Sequence, residues 1–102
     1  MGEFYRLTLY VLGSSPKCQA AIFNLRRILE EEIPGRYELE IIDVMEHPEL
    51  AEEDKVLATP TLIKKSPAPV HRVIGDMSLT EKVRLGLGLG PKRGIVQRGV
   101  VD

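Results

Sequence analysis

The hydrophobic and polar positions in the first half of the chain follow a strand–helix–strand pattern. The apolar run 7–12, closed by Gly13, contains β-branched and aromatic residues and predicts a buried strand. Pro34 ends a following helix, and residues 37–44 alternate before turning apolar, which predicts a second strand. We expect the two strands to be parallel, because a helix connects them. The apolar face of that helix comprises Cys18, Ala21, Ile22, Leu25, Ile28 and Leu29.

The second half has a weaker pattern. Residues 48–55 predict a short, very polar helix, and apolar segments predict strands at 59–63 and 70–74. Ser78 and Glu81 have the spacing of a capping box, in which each side chain satisfies a free backbone donor at the start of a last helix. The apolar stripe of that helix is sparse and consists of Leu79, Val83 and Leu87.

The resulting element order, βαβαββα, is that of the thioredoxin fold. A proline just before the third strand is characteristically cis in that fold, and Pro60 has this place. The 102 residues are 43% hydrophobic, which is enough for one compact core. We therefore expect one α/β domain over residues 1–91, followed by a basic, flexible tail at residues 92–102.

Charge is distributed unevenly along the chain. The formal net charge of −1 argues against broad electrostatic binding of nucleic acid. Residues 1–50 nevertheless carry a net charge of −4 and residues 51–102 a net charge of +3, a separation that suits docking on a charged partner. The sequence contains neither a signal-peptide pattern nor an apolar run of about 20 residues, so we expect a cytoplasmic protein without membrane contact.

The catalytic residue patterns considered do not fit the sequence. A thioredoxin needs two cysteines near the start of its first long helix, but serines precede Cys18 here and no second thiol exists. The place of Cys18 on the apolar stripe favours a buried structural residue. His47 and His71 lack the neighbours of a metal motif, so neither a metal nor a cofactor is expected. A redox or stress protein using Cys18 is the alternative hypothesis.

Basic residues of the second half have two interpretations. Lys55, Lys64, Lys65 and Arg72 form a set that faces an acidic partner if they share one surface. Lys64 and Lys65 alternatively protect an edge strand against aggregation. The residues themselves favour neither interpretation.

Five segments together resemble the KaiB family in order and spacing. They are Leu9–Gly13, Ile41–Val44, Leu50–Leu62, Val73–Ser78 and Glu81–Leu87. The resemblance covers about residues 6–89. Its most specific part runs from Leu50 to Leu62, which a generic thioredoxin domain does not reproduce.

The resemblance implies a circadian clock regulator without enzymatic activity. KaiB-like proteins bind the ATPase ring of KaiC and modulate its phosphorylation cycle, help to recruit KaiA, and displace the kinase SasA. They adopt a resting fold, βαββααβ, usually as a tetramer, and a thioredoxin-like fold that binds KaiC as a monomer. We expect the resting fold in a free homo-oligomer, dimer or tetramer, because mass action favours assembly. A detached SasA-like sensory domain is a third reading.

Individual residues carry further expectations from the resemblance. Lys55, Lys64 and Arg72 match basic positions on or near the KaiC-binding surface. Prolines at positions such as 60, 67 and 69 are associated with the fold switch. Gly86 matches a glycine whose region sets the fold balance, whereas Gly88 stands where the family pattern has an acidic residue. Together with the basic tail, Gly88 indicates a divergent or non-cyanobacterial member, and leaves open whether a KaiA partner exists. The implied fold-switch residues are thus Pro60, Pro67, Pro69, Gly86 and Gly88.

Overall fold

A computed structural model describes residues 2–89 as seven elements in the order βαβαββα. They are β1 (Tyr5–Val11), α1 (Pro16–Glu32), β2 (Tyr37–Asp43), α2 (Pro48–Glu53), β3 (Thr61–Ser66), β4 (His71–Ile74) and α3 (Thr80–Gly86). The single chain therefore has the thioredoxin-like order. The resting order stays a prediction for the free oligomer, and the predicted tail at residues 92–102 lies outside the described residues.

The four strands form one sheet in the order β2-β1-β3-β4. β1 pairs with β2 in parallel, which confirms the predicted strand–helix–strand unit. β3 pairs antiparallel with both β1 and β4, so β3 is a central strand. The interpretation of Lys64 and Lys65 as edge-strand protection is therefore wrong.

The first helix forms where its sequence predicts it. The Ser15 side chain accepts a hydrogen bond from the Cys18 amide at 3.3 Å, and Pro16 occupies the first turn, where no backbone donor is needed. The predicted apolar face is confirmed by burial, with Ile22 partly buried and the rest of the face buried. The fully packed members are Cys18, Ala21, Leu25, Ile28 and Leu29.

Hydrophobic cores lie on both faces of the sheet, because successive strand residues point to opposite sides. Leu9 and Leu62 belong to the larger core, which α1 and α3 cover. Tyr10 and Ile63, one position further along each strand, belong to a smaller core. α2 covers that second core through the partly buried Leu50 and Ala51.

The last helix begins differently from its prediction. The N-cap of α3 is Leu79, with no side-chain capping bond, so the predicted capping box of Ser78 and Glu81 is wrong. The Ser78 amide instead donates to Asp76 Oδ1 at 3.0 Å in a turn, because Asp76 is nearer in sequence than Glu81. Val83 and Leu87 are buried as predicted, whereas Leu79 is 67% exposed.

Candidate functional site

The C-terminal end of α2 is attached to the sheet by a polar cluster. The Tyr10 hydroxyl donates to Asp54 Oδ2 at 2.5 Å and also lies 3.2 Å from the Leu50 carbonyl oxygen. Lys65 Nζ lies 2.9 Å from the same Asp54 oxygen. Side chains from β1 and β3 therefore meet on the residue that ends the helix.

Protonation in this cluster is fixed by its surroundings. Burial, and then the Asp54 carboxylate, raise the pKa of Tyr10 well above that of a free phenol, so the hydroxyl stays a donor. Partial burial alone would raise the pKa of Asp54. Hydrogen bonds from Tyr10 and Lys65, with the charges of Lys65 and Arg72, outweigh burial and lower the pKa of Asp54.

The Arg72 side chain contacts the backbone of the same helix end. Its Nη2 donates to the Asp54 carbonyl oxygen, and its Nη1 lies 3.4 Å from the Lys55 carbonyl oxygen. Lys55 has a φ of 54°, in the left-handed region that ends the helix and redirects the chain. The next residues, 56–58, therefore leave α2 along the surface.

An apolar surface surrounds this turn. Leu57 is 96% exposed, and a groove of about 600 Å³ runs beside it along α2. Lys55 and Arg72 stand at one end of the surface, beside Ile74. We name the apolar part the Leu57 surface. It comprises Leu12, Val44, Ala51, Val56, Leu57 and Ala58.

The structure brings together two of the three basic residues of the predicted partner surface. Lys55 and Arg72 are adjacent and exposed. Lys64 is 3% exposed, and β3 turns it to the face opposite Lys65. Lys64 Nζ would lie 3.5 Å from a Cβ added at Gly88, so it is buried near the end of the described chain.

The predicted fold-switch residues occupy three places. The peptide bonds before Pro60, Pro67 and Pro69 are all cis, and Pro60 precedes β3 as the fold resemblance predicts. Gly86 ends α3 against β4, where an added Cβ would lie 2.3 Å from Val73 Cγ2. Gly88 has a φ of 80°, a conformation that L side chains rarely adopt.

The predicted redox residue, Cys18, lies in the core and takes part in its packing. Cys18 is 2% exposed, and its Sγ accepts the Leu12 amide at 3.4 Å. Over residues 2–89 no group of three His, Cys, Asp or Glu side chains is placed to hold a metal ion. Within the same residues no helix has both the length and the apolar character to cross a membrane.

The hydrophobic pattern of the sequence predicts neither the polar cluster nor the Leu57 surface. Tyr10 carried one usable signal, since a tyrosine inside a buried strand needs a partner for its hydroxyl. Leu57 carried no such signal, because a single leucine between a polar helix and a proline does not indicate that its side chain is exposed.

Three similarities to known proteins accompany this geometry. The KaiB domain family matches residues 8–89. A circadian clock protein KaiB3 of Synechocystis sp. is 54% identical over 86 residues, which cover 84% of each chain. A circadian clock oscillator protein KaiB of Prochlorococcus marinus is 56% identical over 85 residues, covering 83% of this chain and 81% of the relative.

Solved structures are similar in fold. The N-terminal domain of Synechococcus elongatus SasA superposes with a TM-score of 0.69 at 23% identity, covering 90% of both chains. Mitochondrial thioredoxin 3 of Saccharomyces cerevisiae superposes with a TM-score of 0.64 at 18% identity, covering 85% of this chain and 77% of that one. Similarity at these identities extends to the fold alone.

Proposed function

This chain belongs to the KaiB family, and on that premise we propose that it is a circadian clock regulator that binds a KaiC homologue and has no catalytic activity of its own. The observation that carries the proposal is the Leu57 surface with Lys55 and Arg72 at its end. The relatives' names support the biological process in this proposal, and the surface supports the binding of a partner.

The composition of this surface suits a protein interface. A contiguous apolar patch on a small protein marks an interaction site more often than an isolated exposed residue does. Leu57 has almost no intramolecular contact to explain its position, since 96% of it is accessible. The adjacent cations favour a partner whose matching surface is acidic, which also speeds diffusional encounter.

The thioredoxin-like arrangement is the partner-binding state in this proposal. The free protein assembles into a dimer or tetramer in the resting fold, and the partner shifts the population by its higher affinity for the thioredoxin-like state. A SasA-like kinase competes for the same partner site, and KaiA joins the complex where the host has one. The protein acts in the cytoplasm.

Binding to the host's KaiC homologue with ATP, measured by size-exclusion chromatography after a day's incubation, tests the proposal. We expect a complex with the wild-type chain and a weaker one with Leu57→Ser. Leu79→Ser is the matched control, since Leu79 is also an exposed leucine, at 67%, but is not part of the Leu57 surface. Absence of any wild-type complex contradicts the proposed function.

A charge reversal tests the acidic nature of the partner. Lys55→Glu should weaken the complex at low salt, whereas Lys82→Glu on α3 should leave it unchanged. Equal binding by both variants would remove Lys55 from the interface. Lys64→Glu is unsuitable for this purpose, because it places a carboxylate at a position that is 3% exposed.

The redox alternative has a simple test as well. Wild-type protein and Cys18→Ser are assayed for peroxide and disulfide turnover. We expect none from either, since the Cys18 thiol is 2% exposed. Turnover by the wild type that the Cys18→Ser variant lacks would establish the redox function instead.

A further inference from the structure

Three strands send one side chain each to the C-terminal end of α2. Tyr10 of β1 and Lys65 of β3 reach the Asp54 carboxylate at 2.5 Å and 2.9 Å. Arg72 of β4 instead donates to two successive carbonyl oxygens, those of Asp54 and Lys55. The planar fork of a guanidinium is preorganised for two acceptors lying side by side, a geometry that the diverging donors of an ammonium match less well.

These contacts flank a backbone conformation that needs support. The φ of 54° at Lys55 is uncommon for a residue with a long side chain, and such conformations persist only where the surroundings fix them. Two backbone hydrogen bonds hold the turn from the helix side, from the Lys55 amide to the Glu52 oxygen at 3.0 Å and from the Val56 amide to the Ala51 oxygen at 2.9 Å. The sheet side is held by the side chains of Lys65 and Arg72.

We infer that Asp54, Lys65 and Arg72 form a clamp that holds residues 54–58 in the conformation that presents Lys55 and Leu57. Arg72 is then a positioning residue, whose donors are directed to the chain's own carbonyls. This differs from the role of a cation that pairs with a partner's carboxylate. The clamp is a property of the free protein, whereas its consequence for partner binding rests on the proposed function.

Amide hydrogen exchange of the free protein, measured by NMR, tests the clamp. In Arg72→Gln and in Lys65→Met, the Lys55 and Val56 amides should exchange about tenfold faster, as expected when a hydrogen bond to a charged group is lost. The Leu9 amide, in the centre of β1, is the internal reference, because a variant that only lowers global stability accelerates all three. Arg27→Gln, which removes an exposed ion pair on α1, is the control variant.

Unchanged exchange at Lys55 and Val56 in both variants overturns the clamp, and so does equal acceleration of Leu9. Selective acceleration supports it.

A charge-preserving substitution separates positioning from direct contact. If Arg72 acts through the turn, Arg72→Lys should bind the KaiC homologue about as weakly as Arg72→Gln, because lysine keeps the charge and loses the fork. If Arg72 pairs with the partner, lysine should restore most of the affinity, and the positioning role is overturned. Failure of the wild type to bind would refute the proposed function only, and the exchange measurements would still decide the clamp.

Discussion

The Tyr10 hydroxyl lies 2.5 Å from Asp54 Oδ2, so one hydrogen bond joins β1, within the smaller core, to the end of α2. The pair spans 44 positions of sequence. Its two members titrate at opposite ends of the pH range, which allows the contribution of each to stability to be measured separately.

Asp54→Asn should destabilise the protein by about 1–3 kcal/mol near neutral pH, the usual contribution of a hydrogen bond to a charged group. The pKa of Asp54 is lower in the folded state, so its stabilising effect is present above the unfolded value of about 3.9 and is lost as pH falls through the folded value. The difference between variant and wild type should therefore shrink in acid. Urea unfolding across this range measures it, with Glu52→Gln on the exposed side of α2 as control. A difference independent of pH would assign the effect to packing.

Tyr10→Phe should remove a loss of stability that the wild type shows in alkali. The folded pKa of Tyr10 is raised, so its stabilising effect is complete below the unfolded value of about 10 and falls as pH rises above it, because only the unfolded chain ionises. Tyr37, whose pKa is raised by its hydrogen bond to Glu30, contributes to both proteins and cancels in the comparison. Unfolding curves at rising pH test this, and parallel losses in the two proteins would contradict it.

Gly86→Ala should be more costly in the wild type than in a Val73→Ala background. An added Cβ would lie 2.3 Å from Val73 Cγ2, and overpacking of this kind costs about 1–3 kcal/mol. With the valine methyls removed, alanine should instead stabilise α3 by about 1 kcal/mol through helix propensity. A double-mutant cycle of unfolding free energies measures the coupling. Additive effects would show that β4 yields to the methyl group without cost.

Glu32→Gln should destabilise the protein by about 1–3 kcal/mol. Glu32 forms an ion pair with Arg84, whose side chain is 8% exposed, so its loss leaves a buried cation with weaker compensation. Glu31→Gln is the matched control, because Glu31 pairs with Arg27 at 3.9 Å on the exposed side of the same helix. That substitution should change stability by less than about 1 kcal/mol. Equal effects of the two substitutions would show that burial of Arg84 does not strengthen its pair.

The sequence predicted the parts of the fold that depend on local hydrophobic patterns. β1, α1 and β2 were identifiable because their apolar residues repeat with the period of the element that they form. The start of α3 was mispredicted, since the side chains of Asp76 and Glu81 compete for the Ser78 backbone amide and spacing alone does not decide between them.

The candidate site was less predictable, because it depends on strand phase and on contacts distant in sequence. Lys64 and Lys65 are adjacent and chemically identical, yet one is buried and the other binds Asp54. Only the phase of β3 separates them, and a shift of one residue would exchange their positions. Lys55 and Arg72 were predicted to share a surface, but the hydrogen bonds from Arg72 to the chain's own backbone join residues up to 18 positions apart, which no local pattern predicts.

The cations beside Leu57 also bear on recognition between identical molecules. Two copies of the chain that paired through the Leu57 surface would be related by a two-fold axis, so residues near the axis would meet their own counterparts. Lys55 is two positions from Leu57, and such a pairing would bring lysine against lysine. Like charges brought together oppose the symmetric complex, whereas they do not oppose a complex with an acidic surface. Lys55 thus discourages self-recognition through this surface, while Leu57 stays accessible to solvent.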